Sequence, residues 1–370
     1  MQYCERMVGL KNICMFTSNR SEWGLLQPLA EKLNSIFNLK VISCGSHLSP
    51  TYGFTRNEIA FECKDLECLL SSDTSIGTCK SMGLLCVTIP DVLKEISPEL
   101  VIILGDRYES MICAMICHTM RIRVLHIHGG EQSGSIDNAF RDCISRVAYI
   151  HCVATQKSKK RLKKFLSIIN ASHDIFYYNI FNVGALGCFG LQEKRYYNDD
   201  DDDDDHIIVV YHPNTYDNNE DFTSVLNVLK NRSEKIIFVL ANNDYGGNII
   251  NRKIINFCKE LDGNRLFFKH MKRNGYLKIL GSAKCIIGNS SSGIIEAPAL
   301  KVPTINIGKR QINREKASSI INADCNSKSI ENAFNKFDKN EYDFSINPYC
   351  TNPNYNPVDQ IIDIIKGKLL

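Results

Sequence analysis

Residues 101–128 read VIILGDRYESMICAMICHTMRIRVLHIH, and they identify the class of fold. Two short runs rich in aliphatic residues, 101–105 and 123–128, stand on either side of a segment near 107–119 that has the length of a helix. A strand, a helix and a second strand in this order are typical of a parallel βαβ unit. Strands of parallel sheets are apolar because helices cover both faces of the sheet. The stretch therefore predicts an α/β fold.

The same alternation continues on both sides of this unit. Further strands are predicted at 12–17, 39–44, 151–155 and 179–183 in the first half, and at 206–211, 235–240, 265–269, 284–288 and 302–307 in the second. Helices are predicted near 22–36, 56–70, 135–149, 156–168, 219–231, 248–261, 275–283, 313–321, 327–337 and 358–368. The two sets predict two doubly wound α/β domains that face each other across a cleft.

A run of seven aspartates, Asp199 to Asp205, falls between the two sets. Like charges repel and do not pack in a core, so we interpret the run as an exposed linker or loop insertion. It lacks the spaced ligands and the glycine turn of a calcium loop. The predicted division is a first domain over 1–185, a linker over 186–205, a second domain over 206–357 and a C-terminal helix over 358–370.

The composition is that of a globular enzyme, with 44% hydrophobic and 23% charged residues among 370. The net charge is +3, and removing the seven aspartates leaves +10, which suits a small polyanionic ligand as well as nucleic acid. The six basic residues of 156–166 favour a solvated helix face over a nucleic-acid site, because Leu162, Phe165 and Leu166 share the other face. We see no apolar run long enough to cross a bilayer and no secretory signal, and we expect a cytoplasmic protein without membrane contact.

Sixteen cysteines raise the alternatives of a disulfide framework and a zinc site. None stands in a CxxC pair and several lie inside apolar predicted strands, so buried free thiols are the favoured interpretation. His126 and His128 share a face of one predicted strand, as two metal ligands would, but no third ligand at suitable spacing accompanies them. The sequence therefore predicts no metal site.

Polar residues directly follow seven of the predicted strands. Ligands of open parallel sheets bind beyond the carboxyl ends of the strands, so these residues are candidates for a site. The segments are SNR (18–20), GSH (45–47), DR (106–107), HGGE (128–131), His212, NSSSG (289–293) and GKR (308–310). The NSSSG turn leads from a strand into a helix, whose free N–H groups suit a phosphate. The alternative is a serine N-cap without a ligand.

Charged residues in these segments suggest two kinds of chemistry. Arg20 and Arg310 offer planar donors for phosphate oxygens, the alternative being surface salt bridges. Asp106 and Asp137 are carboxylates at the ends of two elements, and Glu131 lies between them in sequence. Paired carboxylates can remove a proton and return one if their environments differ. The alternative is that Asp106 caps a helix and Asp137 lies in an exposed turn.

Seven segments resemble the UDP-N-acetylglucosamine 2-epimerases, in particular the hydrolysing branch that begins sialic-acid and related nonulosonic-acid biosynthesis. They are SNRSEW (18–23), GSHL (45–48), GDRYES (105–110), HIHGGEQSGSIDNAFRD (126–142), VGALG (183–187), GNSSSGIIEAPAL (288–300) and NIGKRQINRE (306–315). The resemblance implies two Rossmann-like domains of the kind found in nucleotide-sugar glycosyltransferases, a GT-B-like fold, with the ligand in the central cleft. It also implies a homodimer.

Position by position, the resemblance implies the following roles. The residues expected to hold the nucleotide, its diphosphate or its ribose are Arg20, His212, Ser290, Ser291, Glu296 and Arg310, and His212 is also a candidate for catalysis. Asp106, Asp137 and Arg141 match residues on the sugar side, where the two aspartates are expected to transfer protons and Glu131 is the reserve. His47, Arg107 and Gly184 lie in matching segments and are expected to contact the substrate.

One position separates branches of the family. The animal enzyme and the non-hydrolysing members have a glutamate at position 128, where this chain has His128. Bacterial members of the hydrolysing branch can show the same HIHGGE pattern, and some of them act on a 2,4-diacetamido-trideoxy sugar. His128 is therefore a further candidate for catalysis, and it leaves the exact sugar open.

The reaction implied by the resemblance converts UDP-N-acetylglucosamine, or a related UDP-2-acetamido sugar, and water to UDP and N-acetylmannosamine or its counterpart. It passes through a 2-acetamidoglucal and requires no nicotinamide, flavin or metal. The alternatives are a non-hydrolysing 2-epimerase that yields UDP-N-acetylmannosamine, a hydrolysing UDP-N,N'-diacetylbacillosamine 2-epimerase, a retaining glycosyltransferase and a non-catalytic UDP-sugar sensor.

Overall fold

The computed structural model describes residues 10–70, 72, 74–169, 179–191, 206–214, 220–241, 246–261, 263–350 and 356–370. The aspartate run at 199–205 lies outside these residues. Within them, the chain forms two parallel sheets, each covered by helices on both faces, which confirms the predicted α/β class. The predicted domain boundaries stay a prediction, although each sheet comes from one half of the chain.

The first sheet has seven strands in the order β3-β2-β1-β4-β5-β6-β7. Its strands are β1 (Asn12–Thr17), β2 (Asn38–Cys44), β3 (Cys63–Leu66), β4 (Leu100–Leu104), β5 (Arg123–Ile127), β6 (Ile150–Val153) and β7 (Ile180–Asn182). The helices between them are α1 (Arg20–Asn34), α2 (Ser75–Ile96), α3 (Tyr108–Thr119), α4 (Asp137–Val147) and α5 (Gln156–Ile169).

The second sheet has six strands in the order β10-β9-β8-β11-β12-β13. Its strands are β8 (His206–Val210), β9 (Lys235–Val239), β10 (Arg265–Phe268), β11 (Cys285–Gly288), β12 (Thr304–Ile307) and β13 (Ile320–Ala323). The helices of this half are α6 (Thr223–Lys230), α7 (Gly247–Glu260), α8 (Arg273–Gly281), α9 (Ser292–Ala299) and α10 (Ser327–Asp338), and the last helix is α11 (Pro357–Leu369).

Both sheets reverse their strand order once, and these switch points position the site. The first sheet reverses between β1 and β4 and the second between β8 and β11. A crevice opens at each switch point because the connections on its two sides run to opposite faces of the sheet. The residues that follow these four strands are therefore placed to meet a ligand.

Two predicted helices are wrong. Residues 56–70 form a short 3-10 turn at Thr55–Glu58 and then the edge strand β3, and residues 313–321 lead through turns into the edge strand β13. β3 has the sequence CKDL and only one buried residue, so it lacks the apolar run by which inner strands are predicted.

Helix α2 is a 22-residue helix that the sequence pattern did not predict. By length and composition it is apolar enough to cross a membrane, so the expectation that no apolar stretch reaches this length is wrong. Leu85, Ile89 and Leu93 on one of its faces are fully buried and pack in the core beneath the first sheet, together with Ile42 and Val101. The opposite face, with Ile76, Leu84 and Val87, is exposed, so α2 packs on the sheet with one face only.

Helix α11 returns to the first half of the chain. Val358, Ile361 and Ile365 are fully buried in the core that α1 and the first sheet share. Lys32 of α1 pairs with Asp359 over 2.5 Å at the edge of this contact. The 13-residue helix α11 therefore completes the first core, although it follows the whole second sheet in sequence.

Replacing Ile361 by alanine should destabilise the first half specifically. The substitution leaves a cavity in a fully buried position, and we expect a loss of about 2–5 kcal/mol in the free energy of unfolding. Urea unfolding followed by circular dichroism measures the change, with the exposed Lys366→Ala on the same helix as the control. An equal change in both variants would contradict the assigned packing of α11.

Candidate functional site

A cleft of about 1230 Å³ lies between the carboxyl ends of the two sheets. Residues that follow β1 and β2 line it on one side, and residues that follow β8, β9, β11 and β12 line it on the other. The predicted site residues in its wall are Arg20, His212, Ser290, Ser291, Glu296 and Arg310. The structure therefore brings the predicted nucleotide-side residues together.

The turns after β8 and β11 are joined by the side chain of Asn289, which is fully buried. Its Oδ1 accepts from the backbone N–H of His212 over 2.7 Å, and its Nδ2 donates to the carbonyl of His212 over 2.8 Å. Gly288 precedes it with a φ of +140°, and a Cβ atom there would clash with the carbonyl of Val210. The ends of β8 and β11 therefore lie so close that their backbones are in direct contact.

The loop after β12 attaches to the same residue. Arg310 Nη1 and Gln311 Nε2 both donate to the carbonyl of Asn289, over 3.1 and 2.9 Å. Asn289 therefore positions His212, Ser290 and Arg310 together. We did not predict it as a site residue, although it stands in the NSSSG turn on which the phosphate hypothesis rests.

The serine turn places Ser291 at the N-cap position of α9, where its side chain makes no capping hydrogen bond. The Oγ of Ser290, one residue before the N-cap, accepts from the backbone N–H of Ser292 over 3.3 Å. Ser290 and Ser291 also line the cleft at the start of α9, beside Arg310. The positive end of a helix next to a guanidinium favours an anion.

Arg20 approaches this wall from the opposite sheet. It is the first residue of α1, whose N-cap Asn19 accepts from the backbone N–H of Glu22 over 3.0 Å. Its Nη1 donates to the carbonyl of Met271, which belongs to the second half. Burial lowers the pKa of Arg20 from its ordinary value. A guanidinium in such surroundings gains from an anionic ligand.

The predicted sugar-side residues form a second group around Arg141, whose side chain is 1% exposed. Arg141 Nη2 pairs with Asp106 Oδ2, and Nη1 donates to Asn138 Oδ1 over 2.8 Å. Asp137 begins α4 and accepts from Ser135 Oγ over 2.9 Å. Asp106 and Asp137 thus come from two elements, as predicted, and the group lies outside the residues that line the cleft.

His128 and Glu131 form a buried pair with Arg314. His128 Nδ1 lies 3.0 Å from Glu131 Oε1, and Arg314 Nη1 lies 3.1 Å from Glu131 Oε2. Burial raises the pKa of Glu131, but the charges of Arg314 and His128 outweigh it and hold this pKa well below its ordinary value. His128 has a φ of +64°, a conformation that non-glycine residues adopt mainly where the surrounding structure imposes it.

The residues that line the cleft and the group around Arg141 meet where the loop at 309–315 contacts the loop at 131–135. Gly134 N–H donates to the carbonyl of Arg310 over 2.7 Å, and Asn313 Nδ2 donates to the carbonyl of Ser133 over 3.2 Å. A Cβ atom at Gly134 would clash with the carbonyl of Lys309. The backbone that carries Arg310 is therefore fixed against the loop that precedes Asp137.

Three predicted substrate contacts do not line the cleft. Both ring nitrogens of His47 contact threonine hydroxyls, at 3.0 Å for Thr17 and 2.9 Å for Thr55, and burial lowers its pKa to about 4. Arg107 pairs with the buried Glu109 over 3.1 Å. Gly184, with a φ of +80°, forms the turn after β7. In this structure the three residues support the elements around the cleft.

The alternative of a metal site finds no support among the described residues, where no three His, Cys, Asp or Glu side chains form a group that could hold an ion. His126 is fully buried, and its ring contacts Ser145 Oγ at 3.0 Å and the carbonyl of Gly105 at 2.8 Å. The fifteen cysteines in the described part are free thiols, of which eight are buried and two, Cys79 and Cys143, are exposed.

Comparison with known proteins relates the chain to one family. The family model described as UDP-N-acetylglucosamine 2-epimerase matches residues 30–366. A relative from Campylobacter jejuni, named GDP/UDP-N,N'-diacetylbacillosamine 2-epimerase (hydrolyzing), is 33% identical and covers 90% of this chain and 88% of its own length. A relative from Legionella pneumophila, named UDP-N,N'-diacetylbacillosamine 2-epimerase (hydrolyzing), is 29% identical, with 85% of each chain covered.

Among solved structures, UDP-GlcNAc 2-epimerase from Methanocaldococcus jannaschii, in complex with UDP-GlcNAc and UDP, has the same fold. The TM-score is 0.74 at 15% identity, and the match covers 96% of this chain and 99% of that one. At 15% identity, this likeness shows a shared fold and no more.

Replacing Asn289 by aspartate should weaken anion binding in the cleft. The carboxylate cannot donate to the carbonyl of His212, and it adds a negative charge beside Ser290 and Arg310. We expect the affinity for inorganic pyrophosphate, measured by isothermal titration calorimetry, to fall by about tenfold or more. Asn335→Asp on the exposed face of α10 makes the same change of charge and should have little effect. Equal losses in both variants would contradict the role of Asn289.

Proposed function

The chain belongs to the UDP-N-acetylglucosamine 2-epimerase family, and we propose that it is a hydrolysing member that releases UDP from a UDP-2-acetamido sugar and inverts C2. The observation that carries the proposal is the direct contact between the cleft wall with Ser290 and Arg310, which we assign to the diphosphate, and the loop that leads to Asp137. The names of the two bacterial relatives support the hydrolytic outcome.

Departure of UDP depends on stabilising the charge that develops on the diphosphate. Arg310, His212 and the start of α9 line one wall of the cleft, and Arg20 lines the other. Donors that are already in place stabilise a leaving group without reorganisation, which lowers the barrier to breaking the C1–O bond. Glu296, at the same end of the cleft, is assigned to the ribose hydroxyls.

The first chemical step is an elimination. A carboxylate removes the proton from C2, the electron pair forms the C1–C2 double bond, and the C1–O bond breaks to release UDP. The product is a 2-acetamidoglucal. We assign proton transfer to Asp106 and Asp137, whose separate elements allow one group on each face of the sugar.

The second step is a hydration. Water adds its hydroxyl to C1, and a proton is delivered to C2 on the face opposite to the one that lost it. The products are UDP and a free sugar with the configuration of N-acetylmannosamine. The net change is hydrolysis with inversion at C2, so no electrons are gained or lost.

Glu131 is assigned a supporting role in this scheme. Its pKa is held low by Arg314 and His128, so the carboxylate stays ionised and does not act as an acid near neutral pH. Its contact with Nδ1 orients the imidazole of His128, which occupies the position of the glutamate of other family members. His128 is the third candidate for proton transfer.

The sugar has two candidates. UDP-N-acetylglucosamine follows from the family as a whole, and the 2,4-diacetamido-trideoxy sugar is favoured by the HIHGGE sequence and by the names of both bacterial relatives.

A cytoplasmic location and a homodimeric assembly complete the proposal, as expected from the sequence.

Incubation in D2O with each of the two UDP-sugars, followed by NMR, tests the reaction. We expect release of UDP and of a free sugar with inverted configuration and deuterium at C2, with the diacetamido substrate preferred. Formation of a UDP-linked epimer would instead identify a non-hydrolysing enzyme. Binding of UDP without turnover of either sugar would favour a non-catalytic sensor.

Replacing Asp106 or Asp137 by asparagine should lower kcat by about 10²–10⁴-fold, because an amide cannot accept the proton. The UDP affinity, measured by calorimetry, should stay nearly unchanged and shows that each variant is folded. Asp91→Asn on the exposed face of α2 makes the same change of charge outside the group around Arg141 and serves as the matched control. Full activity in both test variants would refute the assignment.

A further inference from the structure

A salt bridge between Arg273 and Glu296 lies at one end of the cleft, and Arg273 stands outside the segments that carry the family resemblance. Arg273 begins α8, and its Nη1 donates to Glu296 Oε1 over 3.0 Å. Both side chains line the cleft and are largely buried, with exposed fractions of 21% and 10%. A buried carboxylate requires a partner of opposite charge, which Arg273 provides.

The other arm of the guanidinium contacts the segment after β7, at the start of the predicted linker. Arg273 Nη2 donates to the carbonyl of Gly187 over 2.9 Å. Gly187 packs directly on Glu296, since a Cβ atom added there would lie 3.2 Å from Glu296 Oε1. Gly24 of α1 approaches the stem of Arg273, where an added Cβ would lie 3.2 Å from Cδ. Arg273 therefore joins a carboxylate of the second half to the predicted linker through its guanidinium, and its stem packs on α1 of the first half.

We propose that Arg273 is a positioning residue that orients Glu296 toward the ribose hydroxyls and makes ribose recognition depend on the contact between the two halves. The inference rests on the proposed function, in which Glu296 binds ribose. The planar fork of Arg273 holds one carboxylate oxygen and the Gly187 carbonyl together, so the direction of the second carboxylate oxygen is set as well. A lysine has the charge but lacks the fork.

The test compares UDP with 2′,3′-dideoxy-UDP, which lacks both ribose hydroxyls, by calorimetry on the full chain. The wild type should prefer UDP by about tenfold or more, as expected for hydrogen bonds to a charged group. Arg273→Ala should weaken UDP binding by about tenfold and leave dideoxy-UDP binding unchanged, so that the preference disappears. Glu296→Gln should have the same effect, and the double variant should show no further loss, because the two residues act on one contact.

Two further variants separate positioning from charge. Arg252 on α7 is an exposed arginine that lines the same cleft, and its Nε donates to the carbonyl of Asn248 over 3.3 Å. Arg252→Ala removes an equal charge and should keep the preference for UDP. Arg273→Lys retains the charge and should recover only part of the preference. It also reports on the proposal if the alanine variant does not fold.

Several outcomes would overturn the inference. Equal weakening of both nucleotides in Arg273→Ala, or an undiminished preference for UDP, would show that Arg273 acts through general charge or packing. A wild type that binds both nucleotides equally would also overturn it. A wild type that binds neither nucleotide would contradict the proposed function itself, so the two failures are distinguishable.

Discussion

Two carboxylates buried near the cleft, Glu131 and Glu296, each need an opposite charge, because an ion in a low-dielectric interior is unstable without one. Glu131 is paired with Arg314 and Glu296 with Arg273. Arg314 and Glu131 come from opposite halves of the chain, and the stem of Arg273 packs on Gly24 of the first half. The contacts of these buried charges thus help to fix the position of the two sheets relative to each other around the cleft.

Topology supplies the rest of the site. Each sheet reverses its order at one point, and the strand ends at these points carry Asn19, Asp106, His212 and Asn289. Close backbone contacts then bring the loops around the cleft together. Gly134 and Gly288 each lie against a backbone carbonyl with which a Cβ atom would clash. The geometry of the site therefore depends on these two glycines as well as on the reactive side chains.

Much of this organisation follows from sequence patterns. Inner strands are predicted because they are apolar throughout, and the residues of the nucleotide side because they follow those strands. The edge strand β3 lacks an apolar run and was interpreted as helix. Asn289 and Arg273 act through partners 77 and 86 residues away, and no local pattern encodes such contacts. His47, which looked like a ligand after a strand, is enclosed by two threonines.

The return of α11 to the first core bears on how the chain acquires its structure. Contacts between α1 and α11 span more than three hundred residues, as in the pair Lys32–Asp359 with a separation of 327. During synthesis, therefore, the first half emerges early but lacks part of its core until the final helix leaves the ribosome. The second sheet, whose strands and covering helices are contiguous, can form sooner. The core of the amino-terminal half can thus be completed only after the whole second sheet has been synthesised.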